Sequence, residues 1–399
     1  MSSIRQNLFR VAFGVFAAAV FVSGCANADV SAPPVIEPTG AGDVVITNDN
    51  DAETPAEIPA DGTVTLVTTN SFAISDDAVA AFEAQTGLTL NIVPVGSAGV
   101  LANQLVLTRD HPLGDAFFGV DNTFASRLID HDVAAPFTGS GLSENAQTFA
   151  FEEYGLVPIT QGDVCLNIDL EWFAQHPEVA APQHLIDLLD PRLAGKAVIM
   201  NPATSSPGMA FLLATIAEFG DGELGTAGNW QPPADTSSAF GAEDWQSYWH
   251  QLLANDALIV DSWSQGYFSD FSGAGEGGTR PIVLSYASSP ASTLNADGTA
   301  STTAALLDTC FLQVEFAGVL QGAANPAGAQ QLIEFLSGPE FQSEIPEQMW
   351  VYPIDTAAEL PTNWAQFTTR PDNPLYLGTQ VIEQNRERWL EEWMQLALQ

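Results

Sequence analysis

The chain is nearly without basic residues: its 399 residues carry Lys+Arg 10 against Asp+Glu 49, a formal net charge of -39, and Lys196 is the single lysine. Such a surface repels phosphate backbones and anionic bilayers, which excludes nucleic-acid binding as a role. The same field favours a positively charged ligand. Recognisable reaction chemistry is also lacking. The five histidines show no metal-ligand spacing and no H-E-x-x-H. There is no G-x-S-x-G elbow, no serine three residues before Lys196, and neither of the common glycine-rich phosphate loops. No catalytic residue, metal or cofactor is expected. After the N-terminal segment no stretch is long and apolar enough to cross a membrane.

What is present begins at the N-terminus. Arg5 and Arg10 precede the short apolar run "VAFGVFAAAVFV", which leads to "VSGC" at Val22–Cys25. Basic residues, a short apolar core and small residues before a cleavage point form a secretory signal, expected over 1–24. A cysteine at that point resembles the bacterial lipoprotein signal, in which it is lipidated and becomes the mature N-terminus. Residues 25–62 then hold the candidate lipidated Cys25 and a segment rich in Pro, Ala, Asp, Glu and Gly, without aromatics, expected to be a solvated acidic tether. The implied location is the cell envelope: exported, and either anchored by lipid outside the cytoplasmic membrane or periplasmic.

The remaining cysteines, Cys165 and Cys310, lie in strand-like "GDVCLN" and "DTCFLQVEF". In an exported protein such a pair suggests one disulfide, with two buried thiols as the alternative.

From Thr63 short β-rich runs alternate with helical segments. "TVTLVTT", "LTLNIVPV", "DAFFGVDN", "AVIMN", "ALIVD" and "RPIVLSY" read as strands, and the rhythm implies right-handed crossovers and parallel sheets covered by helices. Ser75 and Gly87 bracket an early helix. In "NPATSSPGMAFLLATIAEFG" Ser206 is the expected N-cap, Pro207 the first helical residue and Gly220 the stop. In open α/β sheets ligands sit beyond the carboxyl ends of strands. The residues falling there are hydroxyls, amides, one carboxylate and aromatics: Asn70, Ser71, Ser97, Asp121, Asn122, Ser205, Ser206, Trp263 and Tyr286. With Tyr267 and Trp350 nearby in loops, the aromatics suit a flat or cationic ligand.

The ordered set "TLVTTNSFAISD", "PLGDAFFGVDNTFASRL", "YGLVPITQGDVCLNID", "NPATSSPGMAFLL", "SWSQGYFSDF", "PIVLSYASSPAS" and "CFLQVEFAGVLQGAANPAGAQQLIEFLSGPEFQSEIPEQMWVYP" resembles the solute-binding proteins of bacterial thiamine ABC transporters. The resemblance implies an α/β, two-lobed type II periplasmic-binding-protein fold, with mostly parallel sheets flanked by helices and two hinge crossovers. "GDVCLNI" and "CFLQVEF" match the crossovers, which would set Cys165 beside Cys310 as a disulfide. Lobe 1 would be 63–160 plus 312–399, which includes the C-terminal helix, and lobe 2 would be 161–311.

Carried over by motif, Trp263, Tyr286 and Trp350 would surround thiamine's aminopyrimidine and thiazolium. Ser205 and Ser206 would face its hydroxyethyl or phosphate end. Asn70 and Ser71 match the family's "DSF" motif, with Asn for Asp, and Asp121 and Asn122 match its "DN" pair. The implied partners are thiamine or a thiamine phosphate and an ABC permease, with a monomer expected. Two departures bear on the ligand: Ser97 stands where the family often has an acid, and Thr69 where it usually has a tyrosine. The alternatives are the same fold binding another cation such as a polyamine, a secreted hydrolase, and a structural lipoprotein.

Overall fold

The computed structural model describes residues 62–139, 141–222, 226–227, 241–274 and 277–398. The signal (1–24), Cys25 and nearly all of the tether (25–62) lie outside the described residues.

In chain order the strands are β1 (Thr63–Thr69), β2 (Thr89–Gly96), β3 (Ala116–Asp121), β4 (Val157–Asp169), β5 (Ala197–Met200) and β6 (Gly220–Asp221). They continue with β7 (Thr226–Ala227), β8 (Leu258–Val260), β9 (Ile282–Tyr286), β10 (Thr303–Ala305), β11 (Phe311–Val319) and β12 (Tyr352–Pro353). The helices are α1 (Asp76–Thr86), α2 (Ala98–Leu107), α3 (Ala125–Asp130), α4 (Glu144–Phe149), α5 (Leu170–Gln175) and α6 (Ser206–Phe219). After them come α7 (Trp245–Ala254), α8 (Trp263–Gln265), α9 (Pro326–Ser337), α10 (Pro339–Gln348), α11 (Thr362–Phe367) and α12 (Thr379–Ala397).

One ten-stranded sheet runs in the order β2-β1-β3-β11-β4-β9-β5-β8, with β10 and β12 also pairing to β4. At one end β1 pairs parallel with β2 and β3; at the other β5 pairs parallel with β8 and β9. The middle is different. The long strands β4 and β11 pair antiparallel with each other, and with β9 and β3 respectively. The expectation of parallel sheets therefore holds within each end, while the two strands that cross between the ends must run against their neighbours. This is the two-lobed α/β arrangement with two crossovers.

Local chemistry accounts for the elements. Ser75 caps α1 by accepting from the Ala78 N–H, and Gly87 closes it at φ 73°, a left-handed conformation that glycine adopts without penalty. Asp244 caps α7 in a reciprocal box with Ser247. Helix α6 starts one residue earlier than the sequence predicts. Ser205 occupies the N-cap, Ser206 is the first helical residue, and Pro207 stands second. Neither serine caps the backbone through its side chain; the Ser206 hydroxyl is instead committed to Asp121. Gly220 ends the helix as expected, at φ 82°.

Nearly every residue of α6 is buried. It packs within the larger apolar core, which joins α2, α6, α7 and α12. A second core joins β1, α1, β3, β11, α9 and α10. Cys165 on β4 and Cys310 beside β11 form a disulfide across 145 residues of sequence, so the paired-cysteine reading holds and the free-thiol alternative does not.

Candidate functional site

Beyond the ends of the strands lies a cavity of 720 Å³, about the size that encloses a small organic ligand. Its walls come from segments far apart in sequence: the turn after β1, the start of α2, the start of α6, the turn after β8, the end of β9, the middle of β11 and the segment before β12.

One wall is aromatic. The rings of Trp263 and Tyr267 stack with centroids 4.9 Å apart and planes 16° from parallel. Trp350 stands 6.2 Å from Trp263 and Tyr286 stands 6.4 Å from it, both tilted. Trp263 is held in place because its indole N–H donates to the Ser285 hydroxyl at 2.9 Å, and Ser285 is in turn 2.7 Å from Ser289. Trp350 is 42% exposed and has φ 58°. A bulky residue in the left-handed region costs on the order of 1–3 kcal/mol and persists only where the surroundings enforce it. Here the Ser288 hydroxyl donates to the Trp350 carbonyl at 2.7 Å. Tyr267, only 3% exposed, gives its hydroxyl to a contact with Thr293 and supports Trp263 from behind.

Another part of the lining is polar and uncharged. Asn70 and Ser71 follow β1, and Ser71 pairs with Thr69 through their hydroxyls at 3.1 Å. Ser97 begins α2 and donates to the Thr204 carbonyl, tying the start of α2 to the loop before α6. Ser205 and Ser206 complete this side. Both α2 and α6 thus direct their N-terminal ends, the positive poles of their dipoles, at the cavity.

The structure brings Trp263, Tyr286, Trp350, Tyr267, Asn70, Ser71, Ser97, Ser205 and Ser206 to the cavity. Asp121 and Asn122 do not line it. Asp121 is fully buried and accepts from Ser206, from Gln313 at 2.6 Å and from the Thr123 hydroxyl at 2.6 Å. Burial raises its pKa against the pull of these bonds. Asn122 straps β11: its amide donates to the Leu312 carbonyl at 3.1 Å, and its oxygen accepts the Val314 N–H at 2.8 Å. Polar residues at a strand end satisfy the backbone there as readily as a ligand, which is why position alone misplaces them.

Glu315 was not expected. It rises from the middle of β11 into the cavity floor and accepts from the Thr160 hydroxyl at 2.6 Å. Burial, reinforced by the charge of Asp121, pushes its carboxyl up to about 7, although the Thr160 bond pulls the other way. Asp261 also reaches the cavity and accepts from the Asn201 amide at 3.1 Å. Among the described lining residues there is no lysine, arginine or histidine. Nor do the described residues contain a cluster able to hold a metal ion.

Residues 77–372 match the family described as bacterial extracellular solute-binding protein. The chain belongs to that family. The thiamine-binding periplasmic protein of Brucella suis biovar 1 (strain 1330) is 27% identical over 318 residues, 78% of this chain and 84% of that protein. Its counterpart from Escherichia coli (strain K12) is 26% identical over 320 residues, 78% of this chain and 85% of that protein. A solved periplasmic thiamin binding protein superposes with a TM-score of 0.68 at 23% identity, covering 84% of this chain and 96% of its own. The cavity itself draws residues from both parallel ends of the sheet, with Asn70 and Ser97 following β1 and β2, and Asp261 following β8.

Proposed function

We propose that this chain is the solute-binding component of an ABC importer and that its solute is thiamine, free or phosphorylated. The observation that carries the reading is the cavity itself: Trp263, Tyr286 and Trp350 offer aromatic faces, the lining has no positive side chain, and Glu315 supplies a carboxylate at the floor. Aromatic faces and an unneutralised acid favour a flat organic cation, and the positive poles of α2 and α6 suit its hydroxyethyl or phosphate end. The relatives named thiamine-binding support the same choice.

In this reading the three aromatic rings take the aminopyrimidine and thiazolium, while the Ser205 hydroxyl and the Ser206 N–H at the start of α6 take the hydroxyethyl or phosphate end. Asn70, Ser71 and Ser97 complete the polar rim. The lobes are 63–160 with 312–399, and 161–311, turning about β4 and β11; ligand contacts from both favour closure. The protein works outside the cytoplasm as a monomer, binds and releases its ligand unchanged, and hands it to a membrane permease. Lipid at Cys25 and the acidic tether hold it near that permease without spanning the membrane.

The test is isothermal titration of the full-length protein, unfolded and refolded to strip carried ligand, with thiamine, thiamine monophosphate and spermidine. Saturable one-to-one thiamine binding is expected. Heat with spermidine alone would transfer the function to polyamine uptake. Silence with all three would remove the thiamine reading.

A further inference from the structure

Glu315 lies where two strands offer it different neighbours. In the register of the sheet it stands opposite Asp121 on β3 and opposite Thr160 on β4. Asp121 is occupied by donors from Ser206, Gln313 and Thr123 and is sealed from the cavity. Glu315 differs, since among the described residues only Thr160 hydrogen-bonds to its carboxylate, and it lines the cavity. The titratable groups beside it are Asp121 from β3 and Tyr286 from β9, and Asp261 after β8 lines the same cavity. All are acidic or neutral. A carboxylate in a shielded site without a cationic partner is unfavourable unless it is protonated or a ligand brings the charge.

We propose that Glu315 is the residue that selects for positive charge in the ligand, and that binding an organic cation displaces a proton from it. This rests on the reading of the cavity as a cation site. Burial already holds the Glu315 carboxyl near neutrality, so it exchanges a proton under ordinary conditions. A cation favours the ionised form, and the ionised form favours the cation, in equal measure. A neutral flat molecule gains nothing from the exchange and is discriminated against.

The experiment is titration of the full-length protein and of Glu315→Gln from pH 6 to pH 8.5. The probes are thiamine, spermidine and the uncharged aromatic thiochrome. Glutamine keeps the shape and can still accept from Thr160, so thermal unfolding should report an intact fold. For the wild type, thiamine affinity should rise about tenfold over this range, as a carboxyl near 7 ionises. Proton release should appear as a dependence of the binding heat on the buffer. In Glu315→Gln both effects should vanish, with thiamine weakened on the order of 30-fold at pH 8.5 and thiochrome unchanged. Thr160→Val removes the bond that favours ionisation and should move the midpoint of the pH dependence upward.

Thiamine binding in Glu315→Gln with wild-type affinity and pH dependence would overturn the proposal while leaving the thiamine reading intact. If the wild type takes spermidine and not thiamine, the thiamine reading fails, and Glu315 is judged by the same comparison with spermidine. If the wild type takes neither cation, both fail. An unmoved midpoint in Thr160→Val also counts against Glu315, even where the glutamine variant does not fold.

Discussion

The indole N–H of Trp263 donates to the hydroxyl of Ser285, 22 residues further along the chain, at 2.9 Å. The ring that forms the aromatic wall is therefore oriented by a neighbouring strand, not by its own one-turn helix. Trp263→Ala should weaken thiamine binding on the order of 30-fold, since stacking and cation–π contact in a shielded site contribute about 2 kcal/mol. Ser285→Ala leaves the ring in place but unanchored and should cost about threefold to tenfold. Titration calorimetry distinguishes the two. Equal losses for both variants would show that the hydrogen bond, and not the ring face, carries the effect.

Asn122 offers the opposite contrast. Removing its side chain in Asn122→Ala strands the buried Val314 N–H and Leu312 carbonyl. Stability measured in urea should fall by about 2 kcal/mol. The ligand dissociation constant of the folded fraction should change less than twofold. A large loss of affinity at unchanged stability would return Asn122 to the binding site.

Reduction of the Cys165–Cys310 bridge, or the double change Cys165→Ser with Cys310→Ser, should lower stability by about 3 kcal/mol, because the bond closes a long loop in the unfolded chain. Thermal unfolding with and without reductant reads this directly. A midpoint indifferent to reductant would mean that the pairing of β4 with β11 already holds the joint unaided.

The pH dependence of stability has a definite sign. Glu315 is raised to about 7 and Asp163 to about 6, in each case chiefly by burial, with Arg370 pulling Asp163 the other way. A carboxyl raised in the folded state binds its proton more tightly there than in the unfolded chain. Its contribution is fully present below the unfolded value near 4 and is lost as pH rises through the folded value. The unliganded protein should therefore unfold at a higher temperature at pH 5 than at pH 8, the two groups together contributing at most several kcal/mol. Glu315→Gln should flatten that slope between pH 5 and pH 7. A midpoint that rises with pH would contradict both assignments.

Local rules make much of the framework legible. Ser75, Gly87 and Gly220 mark helix ends because capping depends on a few adjacent residues. β1 and β3 read as buried strands because their apolar runs are bounded by polar turns. The aromatic residues of the site are legible as well, standing at strand ends among Ser, Gly and Pro. What is hidden depends on partners distant in sequence. Whether Ser206 caps α6 depends on Asp121, 85 residues earlier, which takes its hydroxyl. Glu315 is a lone acid in "FLQVEFAGVL", and nothing in that run says whether it faces water, an ion pair or a cavity. Asp121 and Asn122 turn inward because β11 arrives beside them almost 200 residues later.

That late arrival has a further consequence for how the molecule is made. The core containing Val64, Leu66, Phe82 and Phe118 is closed by Ala317, Val319, Leu332, Ile333 and Phe341. A chain emerging N-terminus first holds the opening strands without their covering for most of its synthesis. Pairings so far apart in sequence also close slowly. The half of the sheet that appears first must be completed last, and until then its exposed apolar surface depends on whatever shields an unfinished chain.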